Sequence, residues 1–228
     1  GISRVIEFPS DGRIADLRGV RTQIHNASYD LLIDIHDSLR SRYLCFGHSS
    51  VVRINKRKIA RFLFVKAKWD VYDWFGGAPG VAERYLETVR SLGVENDGNG
   101  LEVFFPQTAA AHAEKELVEA GIHYQRALIG ICPSARHSNK MWLKERFAET
   151  AATLAREHRG AVLLFGSGKD EETRCQEVKV MIEQQSQGIP VLNLSGRLSL
   201  LETAAMMDRC SVIVTNDSGL MHLAAARK

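Results

Sequence analysis

No stretch of this 228-residue sequence approaches the roughly 18 consecutive apolar residues that span a bilayer, which argues against a membrane-spanning helix. Its first residues, GISRVIEFPSDGR, lack the basic-then-apolar order of a secretory signal peptide. Cysteine is sparse and scattered: Cys45, Cys132, Cys175 and Cys210 form no CxxC pair, so neither a disulfide framework nor a zinc ribbon is encoded. They read as buried or incidental thiols of a reducing compartment. Charge of one sign is also lacking. Thirty Lys and Arg against 27 Asp and Glu leave +3, too little to argue for nucleic acid but compatible with an anionic small molecule. A Walker loop, a GxGxxG loop and a GxSxG nucleophile elbow are all missing. There is no internal repeat or low-complexity tract. What remains is a globular, cytoplasmic chain, long enough for one large domain or two modest ones.

The apolar residues alternate between strand and helix spacing from the start. RVIEF, YDLLIDI and SVVRI read as strands, and residues 14–27 as a helix through Ile14, Leu17, Val20 and Ile24. SLRSRYLCF reads as a helix, and residues 81–93 as another ended by Gly93. LEVFF reads as a strand and TAAAHAEKELVEAG as a helix. Beyond them ALIGIC, AVLLFG, VLNLSG and SVIVT read as buried strands separated by helices, one of which opens with a Ser199–Glu202 capping box. Such repetition implies right-handed crossovers and mainly parallel sheets. GIHYQR, 121–126, is the expected linker between an α/β unit over 1–122 and a second over 123–228.

Ligands of open parallel sheets bind beyond the carboxyl ends of the strands. All four later strands turn polar or glycine-rich there, which suggests one shared site. In NDSGLMH, Asp217 or Ser218 is placed to cap a helix, Gly219 admits close approach, and His222 lies on the first turn. The helix end favours a phosphate, whereas the Asp217 carboxylate suits sugar hydroxyls. A plain capped helix with a packed histidine explains the same residues. PSARHSNKMW sets Arg136 and Lys140 among Ser134, Ser138 and Asn139, which suits a diphosphate or an ordinary solvated loop. GSGKDEE offers close approach to a flat base, with Glu171 or Glu172 for ribose hydroxyls. DIHDS groups Asp34, His36 and Asp37, but a strand would turn Asp37 away from the other two, and no second cluster completes a metal site. The basic stretch 53–68 reads in two ways. It is a patch for an anionic acceptor or membrane headgroups, or a solvated helix face with Ile59, Phe62 and Leu63 buried.

Taken in order, PSARHSNKMWLKERFAE, LLFGSGKDEE and LSGRLSLLETAAMMDRCSVIVTNDSGLMHLAAA resemble bacterial glycosyltransferase family 9, the family of ADP-heptose:lipopolysaccharide heptosyltransferases. YDLLIDIHDSLRS resembles that family's earlier strand region. The resemblance implies an α/β fold of the GT-B type, with two Rossmann-like domains of mainly parallel sheet facing across a cleft. It implies nucleotide-sugar contacts from Ser134, Arg136, Lys140, Glu171, Asp217, Ser218, Gly219 and His222, and an acceptor-side role for Arg40. Lys140 matches the family's phosphate-contacting lysine and Asp217 its sugar-hydroxyl aspartate.

The implied activity is inverting, metal-independent transfer of heptose from ADP-heptose to the lipopolysaccharide inner core, with no cofactor. It would take place in the cytoplasm, with peripheral contact at the inner-membrane surface. The family's opening glycine-rich strand and loop, with the aspartate taken as catalytic base, has no counterpart before RVIEF, and the units that follow HLAAA in the family have none after it. The chain is therefore expected to be an internal segment whose base lies before residue 1. The alternatives are a catalytically incomplete nucleotide-sugar-binding segment and a GT-B-type sugar-nucleotide epimerase.

Overall fold

The structure, a computed structural model, describes residues 2–9, 12–122 and 126–227. The chain divides into two compact units, Gly1–Gly98 and Asn99–Lys228.

In the first unit, helix α1 (Ile14–Asn26) leads to strand β1 (Leu32–Asp34), helix α2 (Leu39–Cys45) and strand β2 (Val51–Arg53). The two strands pair in parallel, Leu32 opposite Val51. Helix α3 (Lys58–Phe62) runs on as a π-helical turn over Leu63–Ala67, and helix α4 (Val81–Val89) ends through a 3-10 turn at left-handed Gly93. β1 is shorter than the sequence suggests, and the alternation read through Asp34, His36 and Asp37 does not apply. The strand stops at Asp34, whose Oδ1 accepts the N–H groups of His36 (3.0 Å) and Asp37 (2.8 Å) and whose Oδ2 accepts the Ser41 hydroxyl. Burial would raise the Asp34 carboxyl, but those hydrogen bonds outweigh it and hold the group below its usual range. Asp37, at φ 43°, binds Lys58 Nζ at 2.6 Å and Arg42 Nε at 2.7 Å, and these cations lower its carboxyl to about 2. These carboxylates organise a turn. Among the described residues no group of three or more His, Cys, Asp or Glu is arranged to hold a metal ion.

The second unit contains helix α5 (Gln107–Glu119), strand β3 (Leu128–Cys132), helix α6 (Lys144–Glu157), strand β4 (Ala161–Leu164), helix α7 (Lys169–Gln185) and strand β5 (Val191–Asn193). Helix α8 (Leu200–Met207), strand β6 (Val212–Thr215) and helix α9 (Gly219–Ala225) follow. The sheet is entirely parallel, in the order β5-β4-β3-β6. Strand residues alternate between two cores. Leu128, Cys132 and Leu163 join α5 and α8, whereas Ile129, Ile131, Val162 and Leu164 join the alanine-rich face of α6 and the buried side of α7. A sheet covered on both faces needs uninterrupted apolar strands, which is what these segments supply. The capping box forms: Ser199 N donates to Glu202 Oε2 at 2.7 Å, and Glu202 N donates to Ser199 Oγ.

Three expectations change. The unit boundary falls between 98 and 99 rather than at 122/123, because α5 buries Ala109, Ala113 and Leu117 in the second unit's core. Within the expected linker GIHYQR, residues 123–125 lie outside the described residues. RVIEF and LEVFF form no strands. Val103 and Phe105 pack against the second core instead, with the Arg227 guanidinium 4.8 Å from the Phe105 ring centre and donating to Val103 O. Among the described residues no helix is long and apolar enough to cross a membrane.

Leu117 is 2 % exposed, so Leu117→Ala should destabilise the second unit by about 2–5 kcal/mol, measured by denaturant unfolding. A change below about 0.5 kcal/mol would contradict the placing of α5 in this core.

Candidate functional site

At the carboxyl end of the second sheet, the segments after β3, β4 and β6, with the first residue of α8, line one cavity of about 650 Å³. The segment after β3 supplies Ser134, Arg136, His137 and Lys140, and the segment after β4 supplies Ser167 and Glu171. Leu200 enters from the start of α8, and Asp217, Ser218, Gly219, Leu220 and His222 come from the β6–α9 junction. All eight residues that the resemblance assigned to the nucleotide-sugar therefore line a single cavity, whereas Ser138, Asn139 and Glu172 do not.

Its charges are set by one contact. Lys140 Nζ lies 2.6 Å from Asp217 Oδ2, across 77 residues of sequence. That hydrogen bond, with the charge of the lysine behind it, holds the Asp217 carboxyl below its usual range, so the pair is lost at a lower pH than an unpaired carboxylate would set. Both side chains are substantially exposed, so the contact arranges charge at the cavity more than it stabilises the fold. Arg136 has no ion-pair partner among the described residues, and His222 adds a further nitrogen donor one turn into α9.

The helix cap differs from expectation. Ser218 is the N-cap residue of α9, but no side chain caps the helix. Asp217 is drawn away by Lys140, and Ser218 Oγ is buried with no hydrogen-bond partner. Ser134 Oγ is in the same condition, on a residue 7 % exposed. Two desolvated hydroxyls lining one cavity are costly unless a ligand satisfies them.

Between the two candidate glutamates the structure discriminates. Glu171 lines the cavity, with its Oε2 accepting the Ser167 N–H at 2.7 Å. Glu172 instead packs against Gly196, where an added Cβ would collide with its carboxylate. It borders a separate cavity of about 790 Å³ between α7 and β5 that holds none of those eight residues. That second cavity is the roomier, but its polar groups are largely engaged, in the Asn193–Gln176 and Ser195–Asn193 hydrogen bonds and in the ion pairs of Glu177 with Lys144 and of Arg197 with Glu116. Arg40 lies exposed on α2 of the first unit and has no ion-pair partner among the described residues.

Two positioning residues escaped the sequence reading. Asn216, 6 % exposed, accepts the Trp142 N–H at 2.9 Å and so ties the β6 junction to the far end of the β3 loop. Arg174, on α7, donates from Nε to Pro133 O (2.7 Å) and from Nη2 to Trp142 O (2.6 Å), clasping both ends of the segment that carries Ser134, Arg136 and Lys140. Their partners are main-chain groups of a distant loop, for which no residue pattern exists. The only hint is polar side chains at positions where the periodicity asks for neither charge nor amide.

A family model for glycosyltransferase family 9 (heptosyltransferase) matches residues 17–228. Lipopolysaccharide heptosyltransferase 2 of Salmonella typhimurium is 35% identical over 153 residues, which is 65% of this chain and 43% of that protein. Lipooligosaccharide heptosyltransferase 2 of Haemophilus influenzae is 27% identical over 235 residues, 99% of this chain and 66% of its own. Among solved structures, Escherichia coli ADP-heptose lipopolysaccharide heptosyltransferase II superposes with a TM-score of 0.68 at 25% identity, covering 94% of this chain and 65% of that one. The chain thus spans 43% to 66% of these two curated relatives' length.

Losing the two charge-assisted hydrogen bonds of Arg174, in Arg174→Ala, should raise amide hydrogen exchange across residues 134–142 by at least about tenfold, while exchange in β3 and β4 stays as in the parent. Unchanged exchange in the loop would contradict the clasp.

Proposed function

The chain belongs to glycosyltransferase family 9, and from that premise we propose that its second unit holds the nucleotide-sugar of a heptosyltransferase. The whole protein would move heptose from ADP-heptose to the inner core of lipopolysaccharide with inversion. The observation that supports this reading is the meeting of cations, buried unpartnered hydroxyls and the carboxylates of Asp217 and Glu171 at a single cavity beyond the carboxyl ends of the strands. A diphosphate calls for hydroxyl and cationic donors, which Ser134, Ser218, Lys140, Arg136 and His222 offer. Sugar hydroxyls call for an acceptor such as Asp217. Glu171 is placed for the nucleoside.

In the reaction an acceptor hydroxyl attacks the anomeric carbon. The new C–O bond forms as the bond to the diphosphate breaks, and a carboxylate takes the hydroxyl proton. Negative charge growing on the departing ADP is met by Lys140, Arg136 and His222, so this reading calls for no metal ion. The base is not assigned among the described residues. The acceptor is lipid-anchored, so the protein would work in the cytoplasm against the inner-membrane surface, with Arg40 on the acceptor side.

Calorimetry tests the assignment. The chain should bind ADP with EDTA present. Lys140→Ala should weaken ADP by at least about tenfold, and Asp217→Ala should weaken ADP-heptose more than ADP. If both variants bind like the parent, the site is wrong.

A further inference from the structure

Between Asp37 and Asp70 the sequence has no acidic residue and carries nine Lys and Arg, although the whole chain exceeds neutrality by only +3. Two of these cations, Arg42 and Lys58, bind Asp37, and Arg57 binds Glu87. Arg61, Lys66 and Lys68 are exposed and have no ion-pair partner among the described residues. The stretch 53–68 was read either as an anionic-ligand patch or as a solvated helix face burying Ile59, Phe62 and Leu63, and two of those three side chains are exposed. Ile59 is 64% exposed, Phe62 62%, Trp69 65% and Trp74 84%.

The backbone gives the reason. After the single turn of α3 the chain widens into the π-helical turn Leu63–Ala67 and stops at left-handed Lys68, with Trp69 N bonded back to Leu63 O. A widened turn breaks the inward stripe of a regular helix, and only Ala60 is fully buried. The edge-on contact of Phe64 with Tyr72, 5.9 Å between centres, ties the 3-10 turn Tyr72–Phe75 to this segment and keeps Trp74 beside it.

We propose that residues 56–74 form a docking surface for an anionic phospholipid bilayer. Phe62, Trp69 and Trp74 would enter the boundary between headgroups and acyl chains, and Arg61, Lys66 and Lys68 would meet the lipid phosphates. Unpaired cations interleaved with exposed aromatic and branched side chains fit that boundary. A nucleic acid would use the cations and rings but would leave Ile59 and Val65 in water. The proposal rests on the reading of a lipid-anchored acceptor and names the surface that brings the protein to it.

Sedimentation with phosphatidylglycerol-containing vesicles, beside phosphatidylcholine vesicles, tests it on the full chain. Binding should favour the anionic vesicles and be accompanied by a blue shift of tryptophan emission. Lys66→Glu with Lys68→Glu, and separately Phe62→Ser with Trp69→Ser, should each weaken binding by at least about tenfold. ADP affinity, measured on the same preparations, should match the parent and so report intact folding. Parent-like vesicle binding by both variants overturns the proposal, as does failure of the parent to bind anionic vesicles, or a preference for single-stranded DNA over them. Absence of ADP binding by a parent that still binds vesicles overturns the donor-site reading instead.

Discussion

The 2.6 Å contact between Lys140 and Asp217 joins the loop after β3 to the junction after β6. It sets opposite charges side by side at the edge of one cavity, a cation suited to phosphate and a carboxylate suited to hydroxyls. Neither loop alone has this property. The contact requires β3 and β6 to be neighbours in the sheet, which they are, with Cys132 opposite Thr215. It also requires both loops to be held, and Asn216 and Arg174 hold them by three hydrogen bonds to main-chain groups.

The sheet beneath makes that placement reproducible. Its strands are covered on both faces by separate cores, so their tips have little freedom to shift relative to one another. Close packing reaches the strand backbone itself. A Cβ at Gly130 would meet Ile213 at 3.0 Å and Cys210 at 3.2 Å, so β3 and the β6 layer approach as closely as glycine permits. The cavity's polar side chains lie beyond the strand ends, where the segments after β3, β4 and β6 converge. The two buried hydroxyls of Ser134 and Ser218 sit where this rigid core meets the cavity.

Much of the second unit was legible in the sequence because its strands are short apolar runs bounded by glycine and polar clusters. The capping box and the segments that line the cavity followed from the same punctuation, and the resemblance to the family picked out eight residues within them. What was not legible depended on distance in the chain. LEVFF has the composition of a strand but finds no partner, and packs as an irregular segment through Val103 and Phe105. The α9 cap expected of Asp217 or Ser218 does not form: a lysine 77 residues away holds the Asp217 carboxylate, and the Ser218 hydroxyl makes no hydrogen bond among the described residues. In the first unit, residues 53–68 left two readings open, an anionic-ligand patch and a helix face with a buried stripe. The chain turns π-helical after the single turn of α3, and Ile59 and Phe62 are left exposed, a local backbone choice that hydrophobic spacing does not encode.

The central claim is that the buried serine hydroxyls and Lys140 form a diphosphate site, and a crystal structure of the chain with ADP tests it most directly. The account predicts phosphate oxygens within hydrogen-bonding distance of Ser134 Oγ, Ser218 Oγ and Lys140 Nζ, with Asp217 turned from the phosphates. ADP seated in the cavity between α7 and β5, or on the first unit, would contradict it.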